Sequence, residues 1–231
     1  MTTQCMPEPS YCAVCGWGSL QGGLGSTNAF GSPDLDLRPP GMARDTINYW
    51  VRECPHCGYC ASDIEEKIAR AAKMVRSAKY LAVLDRRGKS DRRLIRQFLC
   101  ATMLYEHAGD LAAASRMSLY AAWAADDTKE AKRAAQRARK RVLELVDRLH
   151  AEGGTLNEDP AWDTMQMIDV ARRAKDYGHA NRLIAELTEV ETDPFRALVA
   201  FQRERIAARD TGTYTIEEAM KHSAIDADRS P

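Results

Sequence analysis

The sequence predicts a mainly α fold in which a small, cysteine-bearing β/loop module precedes an array of helical hairpins. Three observations carry this expectation. Six of the seven cysteines, Cys5, Cys12, Cys15, Cys54, Cys57 and Cys60, fall within the first 60 residues, with Cys100 alone beyond them. Composition changes near residue 62, from a stretch rich in Gly, Pro and Ser to one dominated by Ala, Arg, Lys and Leu. Past that point apolar residues recur at helical spacing, segment after segment. These features divide the chain into a metal-binding module at 1–62, a helical domain at 63–222 and a polar tail at 223–231.

The cysteines define the module. Cys12-Ala-Val-Cys15-Gly16 and Cys54-Pro-His-Cys57-Gly58 are two matching CxxCG units. A two-residue spacer lets both thiolates of a unit face one ion. The glycine that follows can take positive φ, so that backbone N–H groups point at the sulfurs and offset their charge. Two such knuckles meeting head to head give a tetrahedral Cys₄ site of zinc-ribbon type, with Cys12, Cys15, Cys54 and Cys57 as ligands. One structural Zn²⁺ is the expected occupant. A mononuclear iron of rubredoxin type uses the same ligands and stays open at this stage. Four thiolates fill a tetrahedral ion, so no position is left for a substrate. A redox CxxC would need a βαβ context, and haem attachment would need CxxCH; neither is present.

Cys60 also stands at CxxC spacing from Cys57 and is an alternative ligand; it is expected instead to be a small buried residue where the chain leaves the knuckle. Cys5 has no partner at knuckle spacing, and Cys100 lies within a helical pattern. An odd cysteine count, with no basic and apolar leader in MTTQCMPEPS, argues against a disulfide framework. The longest apolar-looking run, at 98–105, is too short to span a bilayer. The expectation is a soluble, cytoplasmic protein. Its formal net charge of +0 gives no global pull toward nucleic acid or membrane.

Between the knuckles, alternation at residues 34–38 predicts a short strand carrying Asp34 and Asp36 on one face. Alternation at 46–53 predicts a strand feeding the second knuckle. The charged stretch 34–44 reads either as a recognition surface or, preferably, as an internal ion-pair set that fastens a long loop.

In the helical part, Ser62-Asp-Ile-Glu65 has the form of a capping box. Ile64, Ile68, Ala72, Val75 and Ala78 follow it at helical spacing to about Leu84. Gly88 is expected to stop that helix and Ser90 to cap the next, whose inner face is Leu94, Phe98, Ala101, Leu104 and Tyr105, ending at Gly109. A third helix buries Ala114, Met117, Ala121 and Ala124. Asp127 and Glu130 look like the start of a fourth, with Ala131, Ala135, Ala138, Val142, Leu145 and Leu149 inward and Arg137, Arg139, Lys140 and Arg141 on or near its polar face. Gly153-Gly154 ends it. Asp159-Pro160 caps a fifth with Trp162, Met165, Ile168 and Ala171, closed by Gly178. Ala180, Leu183, Ile184 and Leu187 form a shorter sixth. Asp193-Pro194 starts a seventh with Phe195, Leu198, Val199 and Ile206. Thr215-Ile-Glu-Glu218 is expected to cap a last turn or two.

Residues 98–127 resemble a tetratricopeptide (TPR) repeat: Tyr105 in the first helix, Gly109-Asp110 in the turn, and Ala114 and Ala121 on the second helix, where small side chains let two helices approach closely. A weaker echo runs from Met167 to Leu187. Ordinary αα-hairpins give the same pattern. The whole arrangement is similar to an uncharacterised bacterial family with paired CxxCG zinc knuckles followed by TPR-like helices. Cys12, Cys15, Cys54, Pro55, Cys57, Gly58 and Tyr59 carry that resemblance; Cys60 departs from it, since a small non-thiol residue is usual there. The resemblance implies zinc binding by the four matched cysteines and implies no reaction.

His56, His107, His150, His179 and His222 are scattered and sit in no catalytic motif, and no phosphate-binding loop, nucleophile elbow or HExxH is present. An enzyme is therefore not expected. The leading expectation is a non-catalytic adaptor that binds another protein, or a second copy of itself, through a TPR-like body. The alternative is a nucleic-acid-binding protein using the ribbon and the basic helix around 129–149, because Lys and Arg clearly outnumber Asp and Glu across 65–151. The reverse imbalance at 152–231 offers that helix an internal partner.

Overall fold

A computed structural model describes residues 2–85, 92–187 and 194–227. It is mainly helical, with a β-hairpin and cysteine module at the N-terminal end. β1 (Thr3–Tyr11) and β2 (Gly18–Ser26) pair antiparallel, and the first knuckle forms their connection. A four-residue helix α1 (Gly41–Arg44) and a 3₁₀ turn (Ile47–Tyr49) follow. Then β3 (Arg52–Glu53) and β4 (Cys60–Ala61) pair antiparallel around the second knuckle.

The helical body comprises α2 (Ala71–Met74), α3 (Ala78–Leu84), α4 (Arg93–Ala108), α5 (Leu111–Asp126), α6 (Lys132–Ala151), α7 (Pro160–Arg173), α8 (Tyr177–Glu186), α9 (Phe195–Ala207) and α10 (Ile216–Ala227). Consecutive helices pack on one another, α4 on α5, α5 on α6, α7 on α8 and α9 on α10. This pairing is compatible with the expected array of hairpins. Short connections enforce it. Gly109 ends α4 at φ +91°, a conformation that costs glycine little, and the Asp110 carboxylate then caps α5 by accepting from the Ala113 N–H at 2.9 Å. The small residues Ala114, Ala121 and Ala101 are fully buried between α4 and its neighbours, which is what close helix approach requires. No helix among the described residues is long and apolar enough to cross a membrane.

Several local expectations are corrected. The Ser62–Glu65 box does not start a helix. The Glu65 carboxylate instead accepts from the Tyr11 N–H at 2.8 Å, and the Ile64 carbonyl accepts from the Ala13 N–H at 3.0 Å. Tertiary bonds to the first knuckle thus hold residues 62–65 as a bend and a turn, residues 66–68 run on without regular structure, and two short helices follow in place of one long one. Ala72 and Ala78 are consequently exposed, while Ala71, Val75, Tyr80 and Leu84 are buried. Residues 34–38 form a tight turn rather than a strand, with Leu37 at φ +62° and the Leu37 N–H bonded back to the Asp34 carbonyl. Of 46–53, only Arg52 and Glu53 are strand; the preceding residues coil into the 3₁₀ turn. Asp127 does not cap α6, because its carboxylate pairs with Arg38. Gly178 lies inside α8, and it is Lys175, at φ +64°, that turns the chain after α7.

Thr215 and Glu218 do form a reciprocal capping box, with bonds of 2.7 and 3.1 Å, and α10 runs on to Ala227. Gly88, Ser90, Asp193 and residues 228–231 lie outside the described residues.

The module and the helices share one apolar cluster. Cys12, Tyr59 and Ile64 belong to the same buried set as Phe98, Leu145 and Leu198. Residues 32–38 are woven into the far end of the body. Asp34 bridges to Thr215, the Leu35 N–H donates to the Tyr214 carbonyl, and the Ile216 N–H donates to the Pro33 carbonyl, each backbone bond being 2.9 Å.

Candidate metal centre

The two knuckles are built alike. In each, the residue after the second cysteine is a glycine at positive φ, Gly16 at +70° and Gly58 at +79°. Its N–H closes the turn onto the first cysteine's carbonyl, at 2.8 Å for Gly16 to Cys12 and 2.9 Å for Gly58 to Cys54. The turn aims backbone N–H groups at sulfur: Val14 donates to Cys12 Sγ at 3.4 Å and Cys57 to Cys54 Sγ at 3.5 Å. The base of each knuckle is zipped by a further pair, Cys12 N–H to Trp17 carbonyl and Cys54 N–H to Tyr59 carbonyl.

The knuckles face each other. Cys12 Sγ lies 3.7 Å from Cys57 Sγ, and Cys15 Sγ lies 3.7 Å from Cys54 Sγ. All four sulfurs fall within 4.8 Å of one another, and none is in a disulfide. A tetrahedral ion with Zn–S bonds near 2.3 Å separates its sulfurs by about 3.8 Å, so the cluster has the dimensions of a Cys₄ site. The set is consistent with one structural zinc, as its residue types and spacing lead one to expect. Its electrostatics also call for a cation. Burial pushes the Cys12 and Cys57 thiols up, whereas for Cys54 the backbone N–H groups of Cys57 and His56 outweigh burial and hold the thiol down. Four such groups cannot all ionise at this separation without a positive charge between them.

The Trp17 indole stacks on the His56 ring across the two knuckles, with centroids 4.8 Å apart and planes 6° apart. His56 thus joins the second knuckle to the residue that follows the first. The other three cysteines are elsewhere. Cys60 is fully buried and donates its thiol to the Gly58 carbonyl at 3.4 Å, outside the four-sulfur cluster. Cys100 is fully buried on α4, and Cys5 is exposed on β1. Tyr80 donates its hydroxyl to the same Gly58 carbonyl at 2.8 Å, tying the second knuckle to α3.

The charged stretch between the knuckles turns inward. Asp36 is fully buried. Its carboxylate accepts from Arg173 at 2.7 Å, from the Trp123 indole at 2.9 Å and from Arg139 at 3.5 Å. Asp126 closes the ring by accepting from Arg139 at 2.5 Å and Arg173 at 2.6 Å. Arg38 reaches Asp127 at 2.5 Å, and Arg44 reaches Asp34 at 2.6 Å. Burial alone would raise the Asp36 carboxyl, but Arg173 and Arg139 outweigh it and hold the group below the usual carboxylate range. For Asp34 burial prevails over Arg44, and its carboxyl is pushed up. The internal ion-pair set is what the structure contains.

One member of the basic run departs from the expectation: Arg139 is buried, not on or near the polar face. Arg141 is half-buried and paired with Glu106 and Glu144. Sequence reasoning also misses Arg172 and Arg173, which are buried on α7 together with Asp163, Gln166 and Asp169. The overlooked signal was periodicity: Arg139 falls in the stripe Ala135, Ala138, Val142, and Arg172 follows Asp169 at i+3. No family model matches the chain, and neither a curated protein nor a solved structure matches it.

Proposed function

We propose that the protein is a non-catalytic scaffold, stapled by one zinc at Cys12, Cys15, Cys54 and Cys57, whose helical body binds another protein. The observation that carries this reading is the closed four-sulfur cluster packed into the same apolar core as the helices. A Cys₄ set occupies every position on a tetrahedral zinc, so its contribution is to hold the chain rather than to activate a substrate. What it holds is the path by which residues 32–66 cross the helical hairpins. The hairpin array, read as TPR-like, leaves helix faces of the kind that receive peptides or helices. The resemblance carried by the paired CxxCG knuckles supports the zinc in this reading.

One observation favours a second reading, nucleic-acid binding. Lys132, Arg133, Arg137 and Lys140 are exposed on α6 with no carboxylate within ion-pair distance among the described residues. Against it, Arg139 and Arg141 of the same run are consumed by internal acids. The remaining cations are few, and a solvated face is their ordinary role.

Purification of the full-length chain from cells that naturally express it, with nuclease present at physiological salt, tests the scaffold reading. A protein retained in near-stoichiometric amount after nuclease treatment is the expected result. Loss of every co-purifying protein on nuclease treatment, together with a salt-sensitive gel shift, would replace the scaffold by the nucleic-acid reading.

A further inference from the structure

Beyond the second knuckle the chain folds over the α4–α5 hairpin and leaves an open cleft of ≈ 400 Å³. Its lining includes Arg116, Met117 and Tyr120 of α5 together with Trp50, Glu66 and Tyr105. Trp50 and Tyr120 meet edge-on with centroids 4.9 Å apart. The Tyr120 hydroxyl has no hydrogen-bond partner among the described residues.

Glu66 is fixed in place by the metal knuckle and by α4. Tyr59, next to the knuckle's Gly58, donates its hydroxyl to the Glu66 carbonyl at 2.5 Å. Ser62 and Tyr105 donate their hydroxyls to Glu66 Oε2 at 2.8 and 2.5 Å. Both side-chain bonds fall on one oxygen, so Oε1 accepts nothing from the described residues. Arg116 donates Nη1 to the Leu156 carbonyl at 2.9 Å and is the cation of the lining, where Asp110 adds a second carboxylate to Glu66.

A held carboxylate with a free oxygen, next to aromatic rings, is matched by a cation. Ring quadrupoles attract an ammonium or guanidinium, and the carboxylate accepts charge-assisted hydrogen bonds from it. An anion would meet two carboxylates against the single Arg116 guanidinium. We propose that this cleft receives a lysine or arginine side chain of a protein partner, and that the metal knuckle, through Tyr59, sets the position of the receiving carboxylate. This rests on the scaffold reading and supplies the chemistry of its partner.

The test uses the metal-loaded full-length protein and three capped tripeptides, Gly-Lys-Gly, Gly-Arg-Gly and Gly-Glu-Gly, followed by the amide and indole N–H resonances of Trp50. The Lys and Arg peptides are expected to shift these signals saturably with a dissociation constant on the order of millimolar, as one side chain allows. The Glu peptide should leave them unmoved. Glu66→Gln keeps an acceptor for Ser62 and Tyr105 and should weaken binding about tenfold by removing a charge-assisted bond. Glu66→Lys should abolish it, and Glu144→Gln on the exposed face of α6 should change nothing. Equal shifts with the Glu peptide, no shift with the basic peptides, or undiminished binding by Glu66→Gln would overturn the proposal. If it fails while a nuclease-resistant partner still co-purifies, only this cleft is lost; if no partner co-purifies, the scaffold reading fails as well.

Discussion

Asp36 and Arg173, 137 residues apart in sequence, form a 2.7 Å ion pair with both side chains buried. The pair joins the loop between the two cysteine knuckles to the C-terminal end of α7. It makes the N-terminal module part of the helical core, and this changes what mutation and chelation are expected to do.

Asp36→Asn should be strongly destabilising. It leaves Arg139 and Arg173 buried with Asp126 as their nearest remaining counter-charge. Breaking a buried pair from one side costs about 3–5 kcal/mol. Urea denaturation of the metal-loaded protein measures this, and a loss below about 1 kcal/mol, the scale of an exposed pair, would contradict the central place given to Asp36.

The same residue predicts a pH dependence. Its folded-state pKa lies below the unfolded value, so the stability it contributes is complete above the unfolded value and disappears as pH falls through the folded one. Asp34 has the opposite sign: its raised pKa means that its ionised form opposes folding at neutral pH, and acidification relieves that. Acid also releases metal from thiolates, in parent and variant alike. The informative quantity is therefore the stability difference between the parent and Asp36→Asn, which should narrow as pH falls below the ordinary carboxylate range. A difference that stays constant would show that the Asp36 pKa is the same in the folded and unfolded chain, against the lowering expected here.

Basic-run substitutions should separate by position rather than by charge. Arg137→Gln and Lys140→Gln change exposed side chains and should alter stability by no more than about 0.5 kcal/mol. Arg139→Gln removes a partner of both Asp36 and Asp126 and should cost several times that. Thermal denaturation of the three single variants checks the ordering, and equal effects would contradict it.

These contrasts mark what the sequence could and could not reveal. The knuckles were legible because ligand spacing is local: Cys12 to Gly16 and Cys54 to Gly58 contain their own geometry. The long helices were legible from period and caps, as at Asp159 and Thr215. Ser62–Glu65 has every local mark of a helix start, yet Glu65 is claimed by the Tyr11 N–H, a partner on the other side of the knuckle. Asp36 carries no local sign that its partners lie on α5, α6 and α7. Arg139 was hidden by composition, since a dense basic run reads as solvated until its place in the apolar stripe is weighed.

Chelation should act on the core as well as on the knuckles. Tyr59 and Tyr80 tie the second knuckle to Glu66 and α3, and Cys12 and Cys54 are themselves buried in the shared cluster. Removing the metal should expose amides of residues 52–66 to hydrogen exchange and lower the melting temperature, while far-UV circular dichroism and tryptophan fluorescence still report one coincident transition. Two separated transitions would indicate a module that folds apart from the helices.

The most direct test of the account is metal content measured on the purified protein and its single Cys→Ser variants. One zinc per chain is expected in the parent and in Cys60→Ser, whose residue lies outside the four-sulfur cluster, with loss or marked weakening in Cys12→Ser, Cys15→Ser, Cys54→Ser and Cys57→Ser. A parent without metal, iron in place of zinc, or zinc lost from Cys60→Ser but kept in Cys57→Ser would contradict it.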